Sequence, residues 1–346
     1  MCHSGKADTF CEAVKVRHLV NTARKMVNST ESGNVTVMET LLSANIRVGL
    51  YIALAAVNIV LSIMASLGNV LILIALRNVT SIHPPTKLLF QCLTITDLGV
   101  GLISQPLMAA MSLIVYIKNF DFKFWNIFVY PLFRSSSIIF SGVSVFASTA
   151  LSVDRLLALF LGLRYRHVVT LKRVRAVLAC GCLALLLIML IWYFHAKTVR
   201  IIMIIFLTLC LIISLLSYTK IVLRLRQHQF SVGDNVQQGQ ANTGGIPLNL
   251  ERYKKTVVSI ALVQLALFIC YFPSSIFLIL THLNGIHPSI HFILLGYCAT
   301  LFFLNSSLNP ALYCWRIKEI RQAVKAKIRR CCTCLSQGTS TLSTNQ

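Results

Sequence analysis

The stretch Leu304-Asn305-Ser306-Ser307-Leu308-Asn309-Pro310-Ala311-Leu312-Tyr313 closes an apolar run that begins near residue 289. A run of this kind is close to the length of about 20 residues that crosses a bilayer. Amides and hydroxyls inside it need protein partners, because hydrocarbon offers none. Pro310 has no N–H, so it loosens the helix and frees a carbonyl one turn back. A helix built this way belongs inside a bundle.

Six further apolar runs precede it, at roughly 48–76, 86–111, 126–160, 174–194, 199–223 and 256–282. The fourth and fifth nearly fuse, with His195 to Arg200 between them, and the charges of Lys197 and Arg200 force the break. The fold class that follows is an all-α membrane protein, a seven-transmembrane helix bundle. Composition agrees: of 346 residues 56% are hydrophobic and only 12% charged, about half the charge of a soluble domain. The formal charge of +22 does not signal nucleic acid, since Lys and Arg sit between apolar runs and form no basic face. Most of the twelve cysteines lie within those runs and act as small hydrophobes. Cys2 and Cys11 alone are outside candidates for a bridge.

Basic residues gather on alternate connections: Arg77 and Lys87, Arg164 to Arg175, Lys220 to Lys255, and Arg316 to Arg330. The positive-inside rule places these in the cytoplasm and the N-terminus outside. Sequons at Asn28 and Asn34 then fall on the glycosylated side. No signal peptide is evident before Arg47, so the first helix does the targeting. The expected organisation is an extracellular tail over 1–46 and a transmembrane domain over 47–314, with a mobile cytoplasmic loop at about 227–250. An amphipathic cytoplasmic eighth helix over 315–330 and a cytoplasmic tail over 331–346 complete it. In the eighth helix Ile317, Ile320, Val324 and Ile328 recur at spacings of three and four among Lys and Arg, a pattern suited to the inner leaflet. Cys331, Cys332 and Cys334 follow at once, placed for palmitoylation.

Two of the ten acidic residues, Asp97 and Asp154, lie in or at the edge of apolar runs. A charge at a helix centre costs about 2.5 to 3.5 kcal/mol on insertion scales, so each needs an internal partner. A bundle that brings Asn69, Asp97 and Asn309 together would satisfy the carboxylate with amides. The same groups could serve simply as interhelical hydrogen-bond glue.

Gly68-Asn69-Val70, Leu93 to Asp97, Asp154-Arg155-Leu156, Phe268-x-Cys270 with Pro273, and Asn309-Pro310-x-x-Tyr313 stand in one order along the chain. With this ordered set the chain resembles the rhodopsin-like (class A) G-protein-coupled receptors. The resemblance implies a plasma-membrane, multi-pass receptor that passes an extracellular ligand signal to a heterotrimeric G-protein by outward movement of the sixth helix. It implies an activation switch at Asp154, Arg155, Tyr218, Tyr271, Pro273, Asn309, Pro310 and Tyr313. Leu156 replaces the usual Tyr, and Tyr271 the usual Trp. It further implies an allosteric sodium ion at Asp97, Ser144, Asn305, Ser306 and Asn309, and no other cofactor. Kinases and arrestin would act at the tail hydroxyls, Ser336 to Thr344.

Departures from the family pattern bear on the ligand. Tyr130 stands where most members have a disulfide cysteine, and the second outer loop has none. These features are nearest to the melanocortin, cannabinoid, lysophospholipid and adenosine cluster. Ser137 occupies the position of the amine-binding Asp, so a cationic amine lacks a counter-ion. Candidate ligand contacts are Gln105, Phe133, Arg134, Ser137 and Tyr271. Arg134 either recognises an anionic group or snorkels to outer headgroups, and the ligand is small, lipid-like or anionic. No nucleophile and base stand at supporting spacing, so no enzyme is expected. The other readings are a constitutively active or ligand-less heptahelical scaffold and, more remotely, a transporter.

Overall fold

The computed structural model describes residues 34–114, 125–237, 250–283 and 288–329. Seven long helices form the bundle: α1 Asn34–Asn78, α2 Pro84–Leu113, α3 over residues 125–161, α4 Leu171–Phe194, α5 Ala196–Gln237, α6 Leu250–His282 and α7 Pro288–Arg316. A short helix, α8, covers residues 318–329. Among the described residues, five segments are long and apolar enough to cross a membrane, the longest being Ile127–Val168. Asn28, Cys2, Cys11, Asp121, the three tail cysteines Cys331, Cys332 and Cys334, and the Ser336 to Thr344 stretch lie outside the described residues.

Several boundaries differ from those expected. The α1 backbone begins at Asn34, well before the apolar run near residue 48, so that sequon starts a helix. α5 runs on to Gln237, which makes the first part of the expected mobile loop helical. The connection expected over His195 to Arg200 is a single residue. His195 donates its N–H to Ile191 O (2.8 Å) and accepts from Val199 N–H (3.1 Å), so it ends α4 and starts α5 at once. Arg200 therefore stands in the first turns of α5.

α1 packs against α2 and α7, α7 against α6, α6 against α5, α5 against α3, and α3 against α2 and α4. Apolar side chains fill both ends of this ring. Tyr51, Leu54, Met108, Met111, Phe133 and Phe303 form one cluster at the end bearing Arg134. At the end bearing Arg155, Ile72, Leu76, Phe90, Leu93 and Tyr313 form another. Ile320 and Val324 of α8 belong to that second cluster. The apolar face expected to rest on lipid instead docks largely on the bundle, and only Ile328 of that face is well exposed.

Two helices depart from α geometry at the same level. α2 carries a π turn at Val100–Ser104 and α3 one at Ser137–Ser141, and the two turns pack against each other. In α2, Gln105 N–H donates to Val100 O, the five-residue bond of a π turn. Gly99 and Gly101 weaken the regular helix there, and Pro106 just beyond offers no N–H to the preceding turn. A π turn inserts a residue and re-aims those that follow it.

Candidate functional site

A polar column runs through the bundle from the Asp97 level to the Arg155 end. Asp97 is fully buried and accepts from Ser144 Oγ and from Asn309 Nδ2, each at 2.7 Å. Helices α2, α3 and α7 are thereby tied at one carboxylate. Asn69 joins from α1: its Nδ2 donates to Ala65 O (2.8 Å) and to Ser306 O (3.1 Å). Ser306 is four residues before Pro310, so Asn69 occupies the carbonyl that the proline leaves without a helical donor. Gly68 makes the approach feasible, because a Cβ there would meet Pro310 Cγ at 2.9 Å.

Spacing along α2 carries the column onward. Thr86, Phe90, Leu93 and Asp97 recur at three and four residues and share one buried face. Thr86 Oγ1 donates to Asp154 Oδ2 (2.9 Å), and Tyr165 OH donates to Asp154 Oδ1 (2.6 Å). Thr86 Oγ1 and Tyr165 OH are also within 3.0 Å of each other. Asp154 is thus held by two hydroxyls from outside its own helix. The Arg155 guanidinium lies 5.8 Å from the centroid of the Phe90 ring, and Tyr313 meets the same ring edge-on at 5.2 Å. Phe90 thus touches both Arg155 and Tyr313.

Arg155, Tyr218, Tyr313, Asn305 and Asn309 line one cavity of about 420 Å³ that opens at this end, with Thr86, Phe90 and Tyr165 along its wall. The structure thus brings together the residues the sequence singled out on α3, α5 and α7. Thr86, Phe90 and Tyr165 were not singled out. Tyr165 lies 11 residues past Asp154 beyond the end of α3, and no helical periodicity links the two.

Tyr271 and Pro273 sit on α6, apart from that cavity. Tyr271 is buried against Phe302 of α7, ring centroids 4.9 Å apart, and its hydroxyl has no hydrogen-bond partner. Ser274 Oγ donates to Cys298 O (3.0 Å) and Cys298 Sγ to Pro273 O (3.8 Å), which fastens the proline turn of α6 to α7.

The Arg134 end is built differently. Gln105 is fully buried, and among the described residues neither its Oε1 nor its Nε2 has a partner. Ser137 Oγ is likewise unpartnered, although Ser104 Oγ donates to Ser136 Oγ close by at 3.2 Å. Phe133 is a packing residue, edge-on to Phe303 at 6.3 Å. Arg134 projects elsewhere, its guanidinium 5.9 Å from the Trp192 ring centroid. Tyr130, standing where a bridging cysteine is usual, packs against Trp192 at 6.4 Å and ties α3 to α4 by ring contact. Among the described residues no trio of His, Cys, Asp or Glu is gathered, so the donor set at Asp97 is one carboxylate with hydroxyls and amides.

Against known proteins, the chain is similar to the family described as 7 transmembrane receptor (rhodopsin family), whose model matches residues 68–202 and 196–313. That match takes in the whole polar column from Asn69 to Tyr313.

Proposed function

Because the chain belongs to the rhodopsin family of seven-transmembrane receptors, we propose that it takes a ligand at its Arg134 end, outside the cell. We propose further that it signals to a heterotrimeric G-protein at its Arg155 end. The observation that carries this reading is the open cavity at which Arg155, Tyr218 and Tyr313 converge from three helices. A cavity walled by a guanidinium and two phenols offers several donors to a partner's carbonyl oxygens. Asp154, bonded to Thr86 and Tyr165, fixes the α3 end in one state. Exchange of those bonds for contacts to a partner would stabilise another. The proline turn of α6, with Tyr271 packed on Phe302 beside it, is the pivot for an outward swing of α6.

At the receiving end the buried, unpartnered groups of Gln105 and Ser137 suit an uncharged hydrogen-bonding portion of a ligand. A ligand that met them would remove the cost of their burial. A G-protein dissociation panel in cells, run with and without a ligand library, tests the whole reading. Dissociation of at least one subtype, lost in Arg155→Ala, is the expected result. No dissociation of any subtype, with surface expression confirmed, overturns it.

A second reading concerns Asp97. Its two carboxylate oxygens accept from neutral donors, Ser144 and Asn309, with Ser306 also in range, so among the described residues its charge lacks a cationic partner. Hydroxyl and amide oxygens around one carboxylate fit a hard monovalent cation, and Asn305 and Ser306 are buried close by on α7. A sodium ion there would hold α2, α3 and α7 in the resting arrangement. Basal exchange should fall with sodium in the parent and become insensitive to it in Asp97→Asn. Full sodium dependence in that variant would sink the assignment.

A further inference from the structure

The Arg134 end contains a second arginine that the sequence placed in a loop. Arg200 enters on the first turns of α5, and its position follows from the one-residue connection at His195. Val199, Leu207 and Cys210 mark the buried face of α5, and Arg200 lies beside Val199 at the edge of that face. Arg134 is on α3 one turn from buried Ile138, which packs with Trp192 and Val199 in a single apolar cluster. Arg134 therefore borders this cluster through Trp192, and Arg200 enters α5 next to its member Val199. They are near enough for their charges to repel, with Tyr130 also in range.

Nothing among the described residues answers these charges. The Nε atoms of Arg134 and Arg200 are both buried and both without a hydrogen-bond partner. Arg134 lies over the face of Trp192, which is itself buried. A snorkelling arginine extends its head toward water or headgroups and leaves its stem behind. Here Nε, the inner nitrogen of each guanidinium, is buried and unpartnered while both side chains stay part-exposed, so each cation is only half withdrawn from its surroundings and keeps donors to offer. Two like charges close together beside an apolar cluster, each with its inner nitrogen unpartnered, suit an anion between them, which would offset their repulsion and satisfy those nitrogens.

We propose that Arg134 and Arg200, backed by Trp192, form a binding site for a single anionic headgroup, a carboxylate or phosphate carried on an apolar chain. Two planar forks can each make paired N–H···O bonds to such a group, which a lone arginine or a lysine could not match. The chain would lie along the cluster of Ile138, Val199 and Trp192. This deepens the assignment of the Arg134 end as the receiving end and rests on it.

The test uses the full-length protein in phosphatidylcholine nanodiscs, with Trp125→Phe and Trp315→Phe leaving Trp192 as the only tryptophan of the three. Oleate and oleoyl lysophosphatidate are titrated against Trp192 emission, with oleyl alcohol as the uncharged control. Both anions should change the emission saturably, and the alcohol should bind at least about tenfold more weakly. Arg134→Gln and Arg200→Gln should each raise the dissociation constant on the order of tenfold to a hundredfold. Arg134→Lys and Arg200→Lys should lie between, and parent-like melting of these variants separates lost binding from lost fold.

Equal affinity for oleate and oleyl alcohol, or parent affinity in both Gln variants, would overturn the proposal. Two further arms identify the source of the anion. Competition of oleate by inorganic phosphate would support a water-borne ligand, and competition by phosphatidylglycerol in the disc would support a lipid headgroup. Because the binding readout involves no G-protein, a silent dissociation panel would leave this result standing. A failed titration would likewise leave the panel untouched.

Discussion

The two ends of the bundle treat buried polar groups in opposite ways. At the Arg155 end, Asp154 has a donor for each oxygen. The atoms left over there, such as Asn69 Oδ1 and His83 Nδ1, belong to side chains held by other contacts: Asn69 by two hydrogen bonds and His83 by the Tyr165 ring at 5.1 Å. At the Arg134 end a whole amide, a hydroxyl and two guanidinium Nε atoms go unanswered. Satisfied networks hold a conformation, whereas unsatisfied ones store free energy that a ligand can release. The difference teaches which end is built to hold a state and which to be completed by something else.

Polar deletions should therefore have opposite signs at the two ends. The largest effect is expected from Arg155→Ala. Truncating a charge that serves a desolvated contact costs about 2–5 kcal/mol, so receptor-driven nucleotide exchange should fall by more than tenfold. An Arg155→Ala receptor with the parent's exchange rate would break the comparison at its root.

Asp97→Leu comes next, since it strands Ser144 Oγ and Asn309 Nδ2. Each stranded donor costs about 1–3 kcal/mol, and the purified receptor should melt at a clearly lower temperature. Gln105→Leu should do the reverse. It removes a buried amide that has no partner, so the ligand-free receptor should gain about 1–3 kcal/mol and melt higher, with agonist response lost. Destabilisation by Gln105→Leu would mean that the amide is already satisfied and would erase the contrast.

Tyr165→Phe should have the smallest effect. Asp154 keeps Thr86 but loses its shorter bond, worth about 1 kcal/mol, and basal exchange should rise roughly fivefold. Unchanged basal exchange would mean that the Tyr165 bond does not hold the resting state.

Much of the column was legible before the fold was seen. An acid in an apolar run needs a partner, and a bundle bringing Asp97 to Asn309 and Asn69 would supply one; the structure joins Asp97 to Asn309. The Pro310 carbonyl was foreseen as free, though not that Asn69 would take it. Thr86 and Phe90 could have been found from their three- and four-residue spacing to Asp97 on α2. Tyr165 could not, since its reach to Asp154 depends on how the chain turns after Leu161. Arg200 was read as a loop charge for a similar reason: hydropathy counts a charged residue against a helix and does not show that His195 can both end one helix and begin the next.

By itself, then, the sequence determined a membrane bundle of seven helices with its acids, amides and prolines at fixed heights. Hydrocarbon permits few places for such groups, and apolar length sets the spans. Tertiary structure alone decided the lateral pairings: Phe90 against both Arg155 and Tyr313, Tyr165 on Asp154, Ile320 docked on the bundle rather than facing lipid, and Arg200 within range of Arg134. These depend on helix rotation, on π turns and on where a connection ends. Periodicity along one helix carries no information about which face of another it will meet.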